Sequence, residues 1–133
     1  MAFLIGAVLA LLVGLAMTMI GMDRDRAFYP TVLMVIASYY ALFAVMGASN
    51  QVLMLESIFI AIFMAASIAG FKRSLWIVVV ALAAHGVFDL VHGHLIDNPG
   101  VPAWWPVFCL AYDIVAAVYL GWRLLRSRYV PAS

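Results

Sequence analysis

An all-α polytopic membrane protein, a bundle of five transmembrane helices, is the architecture this sequence predicts. Three observations predict it. The chain has 133 residues, of which 68% are hydrophobic and only 10% charged, with a mean hydropathy of +1.15; a soluble domain this small needs far more charge to cover its surface. The apolar residues come in long blocks and not in amphipathic stripes, so lipid is the solvent they suit. Finally, all seven Lys and Arg fall in alternate breaks between those blocks.

A window of roughly 20 apolar residues crosses a hydrocarbon layer ~30 Å thick, and the breaks divide residues 1–133 into five such windows within one domain. The first span covers about 2–21. It begins MAFLIGAVLA with no Lys or Arg ahead of it, which makes a poor signal peptide and points to a retained helix. MDRDRAFYP (22–30) follows with consecutive charges, and its Pro30 suits the first position of a second span over 31–48. SNQ (49–51) is a tight polar turn before the third span, 52–71, and KRS (72–74) is another before the fourth, 75–95. IDNPGVPA (96–103) joins Asn-Pro-Gly to a second proline, a turn signal ahead of the fifth span, 104–123. Trp104, Trp105 and Trp122 stand at span ends, where interfacial indoles belong.

Arg24 and Arg26 lie between spans one and two, Lys72 and Arg73 between three and four, and Arg123, Arg126 and Arg128 after five. All are on one side of the bilayer. The positive-inside rule makes that side cytoplasmic and the N-terminus external. The DRDR run reads as a solvated anchor in which Asp and Arg neutralise one another. Small residues recur every four positions in span one (Gly6, Ala10, Gly14) and span three (Ala61, Ala65, Ala69). Such stripes let helices approach closely within one bundle, and they also leave room for a homo-oligomer.

Composition excludes several functions. A net charge of +1 offers no basic surface for nucleic acid. Lys72, the sole lysine, sits at a turn, so no buried amine is available for a retinal Schiff base. All three histidines are on span four, which prevents two of them from clasping one haem from opposite faces. No phosphate loop, GxSxG elbow or CxxC pair is present, so nucleotide, serine-hydrolase and thiol-redox chemistry have no support.

One stretch resists the hydrocarbon pattern: AAHGVFDLVHGH (83–94) carries His85, Asp89, His92 and His94. Glu56 and Asp113 are the other carboxylates inside spans, and each costs at least ~2.5 kcal/mol at mid-membrane if charged and unpaired. Counting from the outer span ends at ~1.5 Å per residue, His92 lies near ~5 Å, Glu56 ~6, Asp89 ~9, Tyr40 ~12, Asp113 ~13 and His85 ~15 Å. Four spans thus send polar groups to the outer half of the bilayer, while the inner half holds almost none. At ~100° per residue, His85 and His92 fall within ~40° and ~20° of Asp89 on one face of span four. His94 points away from that face, towards water or headgroups. Gly86 and Gly93 flank the face where a neighbour can press close, and Tyr112 and Cys109 flank Asp113 on span five.

His with Asp and Glu is the ligand set of Zn²⁺, Mn²⁺ or non-haem Fe²⁺. The expected site is therefore a polar pocket of His85, Asp89, His92, Asp113 and Glu56 that binds a divalent metal, with Tyr112, Tyr40, Cys109 and His94 around it. His85 and His92 are ~10.5 Å apart along the helix axis, which strains one metal held by both. One histidine with Asp89, completed by Asp113 or Glu56, is the better set, and the other histidine becomes a supporting group. The cation would serve transport, sensing or metal-assisted chemistry on a lipid-soluble ligand. Two alternatives use the same residues: a proton relay through Asp89 and His85 for coupled transport, or protonated carboxyls that tie helices together in an accessory subunit.

The stretches DRDRAFYPTVLMVIASYY and HGVFDLVHGHLIDNPGVPAWWPVFCLAYDIVAA resemble those of small uncharacterised bacterial multi-pass integral membrane proteins, a group with no assigned activity. The resemblance spans most of the chain. It implies a bacterial inner (plasma) membrane and brings no cofactor, substrate or functional residue with it.

Overall fold

A computed structural model of the chain describes residues 1–24 and 26–126, with the side chain of Arg24 also outside that description. Arg128, one of the cations used for orientation, therefore lies outside the described residues. Five helices are long and apolar enough to cross a membrane: α1 (Ala2–Ile20), α2 (Phe28–Gly47), α3 (Asn50–Lys72), α4 (Leu75–Leu95) and α5 (Trp105–Leu125). Among the described residues there is no strand.

The helix ends follow local chemistry. Ser49 and Ser74 cap α3 and α4, their hydroxyls accepting hydrogen bonds from the backbone N–H groups of Val52 at 3.3 Å and Trp76 at 3.2 Å. Pro106 occupies the first turn of α5, where its missing N–H costs nothing. α2 starts at Phe28, earlier than the expected 31, and takes Pro30 into its first turn. That is tolerated for the same reason, because the first four N–H groups of a helix have no partner inside it.

The five helices form a bent row. α1 packs on α5, α5 on α4, α4 on α3 and α3 on α2, and α2 closes partly back onto α4. α4 and α5 are the most enclosed helices, and Leu33, Val78, Leu82 and Leu120 have no exposed surface. α1 and α2 follow one another in sequence yet hardly touch. Between them lies an apolar groove of about 1000 Å³, backed by the first turns of α5.

Span one's small-residue stripe is the face α1 buries: Gly6, Ala10 and Gly14 are its only buried positions. A Cβ on Gly6 would collide with the carbonyl oxygen of Phe108, so α1 and α5 meet there at backbone distance. The span-three stripe behaves differently. Ala61 and Ala65 are exposed, and α3 instead buries Glu56, Phe63, Ser67 and Gly70. The α3 face was set by its acidic residue, not by its alanines.

Two further expectations are corrected. The DRDR run is not a solvated anchor throughout: Asp23 is fully buried. Its carboxylate accepts hydrogen bonds from the Thr18 hydroxyl at 2.5 Å and from Arg123 at 3.4 Å, and Thr18 also contacts the Tyr119 hydroxyl at 2.7 Å. The cationic end of the bundle thus holds a polar network of its own, where almost no polar groups were expected. Arg26 lies across the end of α3, where its guanidinium donates to the carbonyl oxygens of Gly70 at 3.2 Å and Phe71 at 2.8 Å. Those are carbonyls that the helix end leaves unpaired, and they carry the negative pole of its dipole. Trp104 and Trp122 are about half exposed, as interfacial indoles should be, but Trp105 is only 8% exposed. It is packed under Tyr39 and Phe43, with both ring centroids 5.1 Å away.

Candidate functional site

Away from the Asp23 network, the buried histidines and carboxylates form two networks joined by one tyrosine. The deeper network lies between α4 and α5. His85 and Asp89 are one turn apart on α4, and Cys109 and Asp113 are one turn apart on α5, so each helix presents an i, i+4 pair to the other. Gly86 faces α5 at this point, where an added Cβ would come within 3.3 Å of the Leu110 side chain and 3.4 Å of the Asp113 Cβ. The His85 Nδ1 is 2.7 Å from Asp113 Oδ2 and 3.5 Å from Asp89 Oδ2. Cys109 Sγ lies 3.8 Å from the same Asp113 oxygen. One ligand-type atom from each of the four residues falls within 4.8 Å of all the others, and all four residues are buried.

This centre is buried and walled by rings. Phe63 meets the His85 imidazole edge-on at 4.7 Å, and Phe88 stands at 5.8 Å. Yet its hydrogen bonding is incomplete. Among the described residues, His85 Nε2, Asp89 Oδ2 and Asp113 Oδ1 have no hydrogen-bond partner although each is buried. Three such atoms in one cluster are unusual, because buried polar atoms nearly always find partners.

The shallower network lies under the 96–103 loop. His92 Nε2 is 2.6 Å from Glu56 Oε1. The Asn98 amide donates to the same oxygen at 3.0 Å and to the Tyr40 carbonyl at 3.2 Å. Asn98 is held by its own turn, whose side-chain oxygen accepts from the Gly100 N–H at 3.1 Å. Tyr40 bridges the networks. Its hydroxyl donates to Asp89 Oδ1 at 2.5 Å, while its ring stacks on that of His92 at 4.0 Å and 18°.

The expected five-residue pocket is therefore two sites. His85, Asp89 and Asp113 come together, and His92 and Glu56 pair separately. Cys109, first placed around the pocket, is a member of the deeper centre. Tyr40 is more central than packing requires. Tyr112 is half-buried and lines the groove between α1 and α2, and His94 is exposed and belongs to neither network. Gly93 faces open space, unlike Gly86. Asn98 was missed: in sequence it reads only as the first residue of an Asn-Pro-Gly turn, and nothing local shows that its amide reaches α3. No protein-family model, curated protein or solved structure matches this chain.

Proposed function

We propose that the protein holds one divalent metal ion between α4 and α5, with His85, Asp89, Cys109 and Asp113 as its ligands. The observation that carries this reading is the convergence of four ligand-type atoms within 4.8 Å in a fully buried place, beside three polar atoms that lack a hydrogen-bond partner among the described residues. Bundle metal centres are built this way, from side chains projecting inward off facing helices.

Charge supports a dication. A metal-bound thiol is deprotonated, so two carboxylates, the Cys109 thiolate and a neutral imidazole around M²⁺ sum to −1, and one carboxyl that keeps its proton makes the centre neutral, the cheapest arrangement to keep in hydrocarbon. Mixed N, S and O ligands suit Zn²⁺ best, with Fe²⁺ next, and the thiol disfavours Mn²⁺. Zinc at about 2.0–2.3 Å from each ligand spaces a tetrahedral set roughly 3.3–3.8 Å apart, so rotations of about an ångström close the present cluster.

A resident ion fits better than one in transit. On α5 the residues from 114 to 118, between Asp113 and Tyr119, are all apolar, so that helix offers no polar steps from the centre towards the Asp23 network. The same stretch disfavours a proton relay across the bilayer. Arg26, Lys72, Arg73, Arg123 and Arg126 share the opposite end of the bundle. By the positive-inside rule that end is cytoplasmic, with the N-terminus and the centre towards the outer face of a bacterial inner membrane.

Elemental analysis of the purified protein after loading with Zn²⁺, Mn²⁺ or Fe²⁺ tests the reading. About one ion per chain is expected in wild type, retained in His92→Gln and lost in Asp89→Asn. An ion-free wild type with an Asp89→Asn variant that is merely less stable would reduce the cluster to a helix tie.

A further inference from the structure

The Glu56 carboxylate is a buried acid that the proposed centre leaves unused, and it stands nearer the outer end of the same bundle. α3 and α4 pack with Glu56 beside His92 and Phe63 beside His85, and a Cβ added to Gly70 would meet Val78. The two helices are therefore antiparallel, in a register that sets Glu56 level with His92, about one turn or ~4.5 Å along α4 outside Asp89. We propose that Glu56 is an entry station, where a divalent cation from the outer side is held before it passes Tyr40 to the α4–α5 centre. This rests on the centre holding a metal ion, as proposed above.

The Glu56 carboxylate is only half used. Its Oε1 is 2.6 Å from His92 Nε2 and accepts from the Asn98 amide at 3.0 Å, while Oε2 is buried without a hydrogen-bond partner among the described residues. Tying helices together needs only the first oxygen, and an idle buried acceptor is costly to keep. A cation gives it a partner. Asn98, 8% exposed, closes the place from outside, since its amide also reaches the Tyr40 carbonyl at 3.2 Å. Asp97 beside it is exposed. Tyr40 leads inward, with its ring stacked on His92 and its hydroxyl bonded to Asp89. Carboxylates thus follow one another from the loop to the centre at Asp97, Glu56 and Asp89. The outer turns, 47–51 and 95–105, carry no Lys or Arg, whereas the opposite end is cationic and α5 is apolar from 114 to 118. A cation is therefore drawn in at the outer end.

Co²⁺ is the probe, mixed by stopped flow with the metal-free, full-length protein in nanodiscs, because its thiolate charge-transfer absorption reports arrival at Cys109. Glu56→Gln is expected to slow loading about tenfold or more, the size of a lost electrostatic steering step. Release into a chelator should slow by a like factor, because a barrier on the route is crossed in both directions, so the final occupancy stands. Glu56→Asp keeps the charge and should recover much of the rate. Asn98→Ala removes the closing amide and should speed both loading and release. Unchanged loading in Glu56→Gln or in Asn98→Ala, or an occupancy that falls in Glu56→Gln, would overturn the proposal. Failure of the centre itself reads differently. Wild type then shows no thiolate band at saturating Co²⁺, whereas a full band with unaltered kinetics in the variants rejects the entry station alone.

Discussion

Zn²⁺ supplied to the metal-free protein at a thousandfold excess over its Kd is expected to stabilise the folded state by about 4 kcal/mol, the linkage expected of an ion that binds the native chain only. Asp113→Asn should remove nearly all of that gain. Asp113 is the hub of the cluster: one of its oxygens lies 2.7 Å from His85 and 3.8 Å from Cys109, while the other has no hydrogen-bond partner among the described residues. Asparagine keeps the shape and removes the charge that balances a dication. Denaturation in mixed detergent micelles, with and without Zn²⁺, reads the difference directly. If Asp113→Asn gains as much from Zn²⁺ as wild type does, the ion binds elsewhere. Glu56→Gln should behave like wild type, because Glu56 pairs with His92 in the neighbouring network.

Asp23→Ala should be the most damaging change at the other end of the bundle, costing about 3–5 kcal/mol in the same unfolding assay. Asp23 is fully buried and joins the turn after α1 to α5 through Thr18 and Arg123. Alanine would remove the carboxylate that faces a nearly buried guanidinium and take away the acceptor of the Thr18 hydroxyl. Asp23→Asn should cost less, since its amide oxygen can still accept from Thr18. Neither variant should change metal content, because the Asp23 network and the α4–α5 centre are separated along α5 by apolar residues. A cost under about 1 kcal/mol for Asp23→Ala would mean that the ion pair is solvated after all.

The helices were legible because hydrocarbon imposes a coarse rule: long apolar blocks, polar breaks and cations gathered at one end. The observed helices match the expected spans except where α2 recruits Phe28, Tyr29 and Pro30. The division of the polar residues was not legible in the same way, because their depths run continuously and point to a single pocket. Counted by depth, they run from His92 and Glu56 through Asp89, Tyr40 and Asp113 to His85. The structure divides them differently, since Tyr40 touches both networks and Cys109 belongs to the deeper one. What helix periodicity could not supply is contact between distant segments. The partnership of Asp23 with Arg123, of Arg26 with the end of α3, and of Asn98 with Glu56 spans 42 to 100 residues, and no local pattern encodes it. Cys109 was undervalued for a related reason. It is one turn from Asp113, and only the facing helix shows that both turn inwards onto His85.

The central claim is that α4 and α5 hold one metal ion with one sulfur among its ligands. X-ray absorption at the zinc edge tests it most directly, and with a single cysteine in the chain one substitution separates a thiolate ligand from a methionine sulfur. Wild type is expected to show one sulfur near 2.3 Å with nitrogen and oxygen ligands near 2.0–2.2 Å, values of roughly the usual size for zinc sites, and Cys109→Ser should lose the sulfur shell. A first shell of light atoms only in wild type, or a sulfur shell that persists in Cys109→Ser, would contradict it.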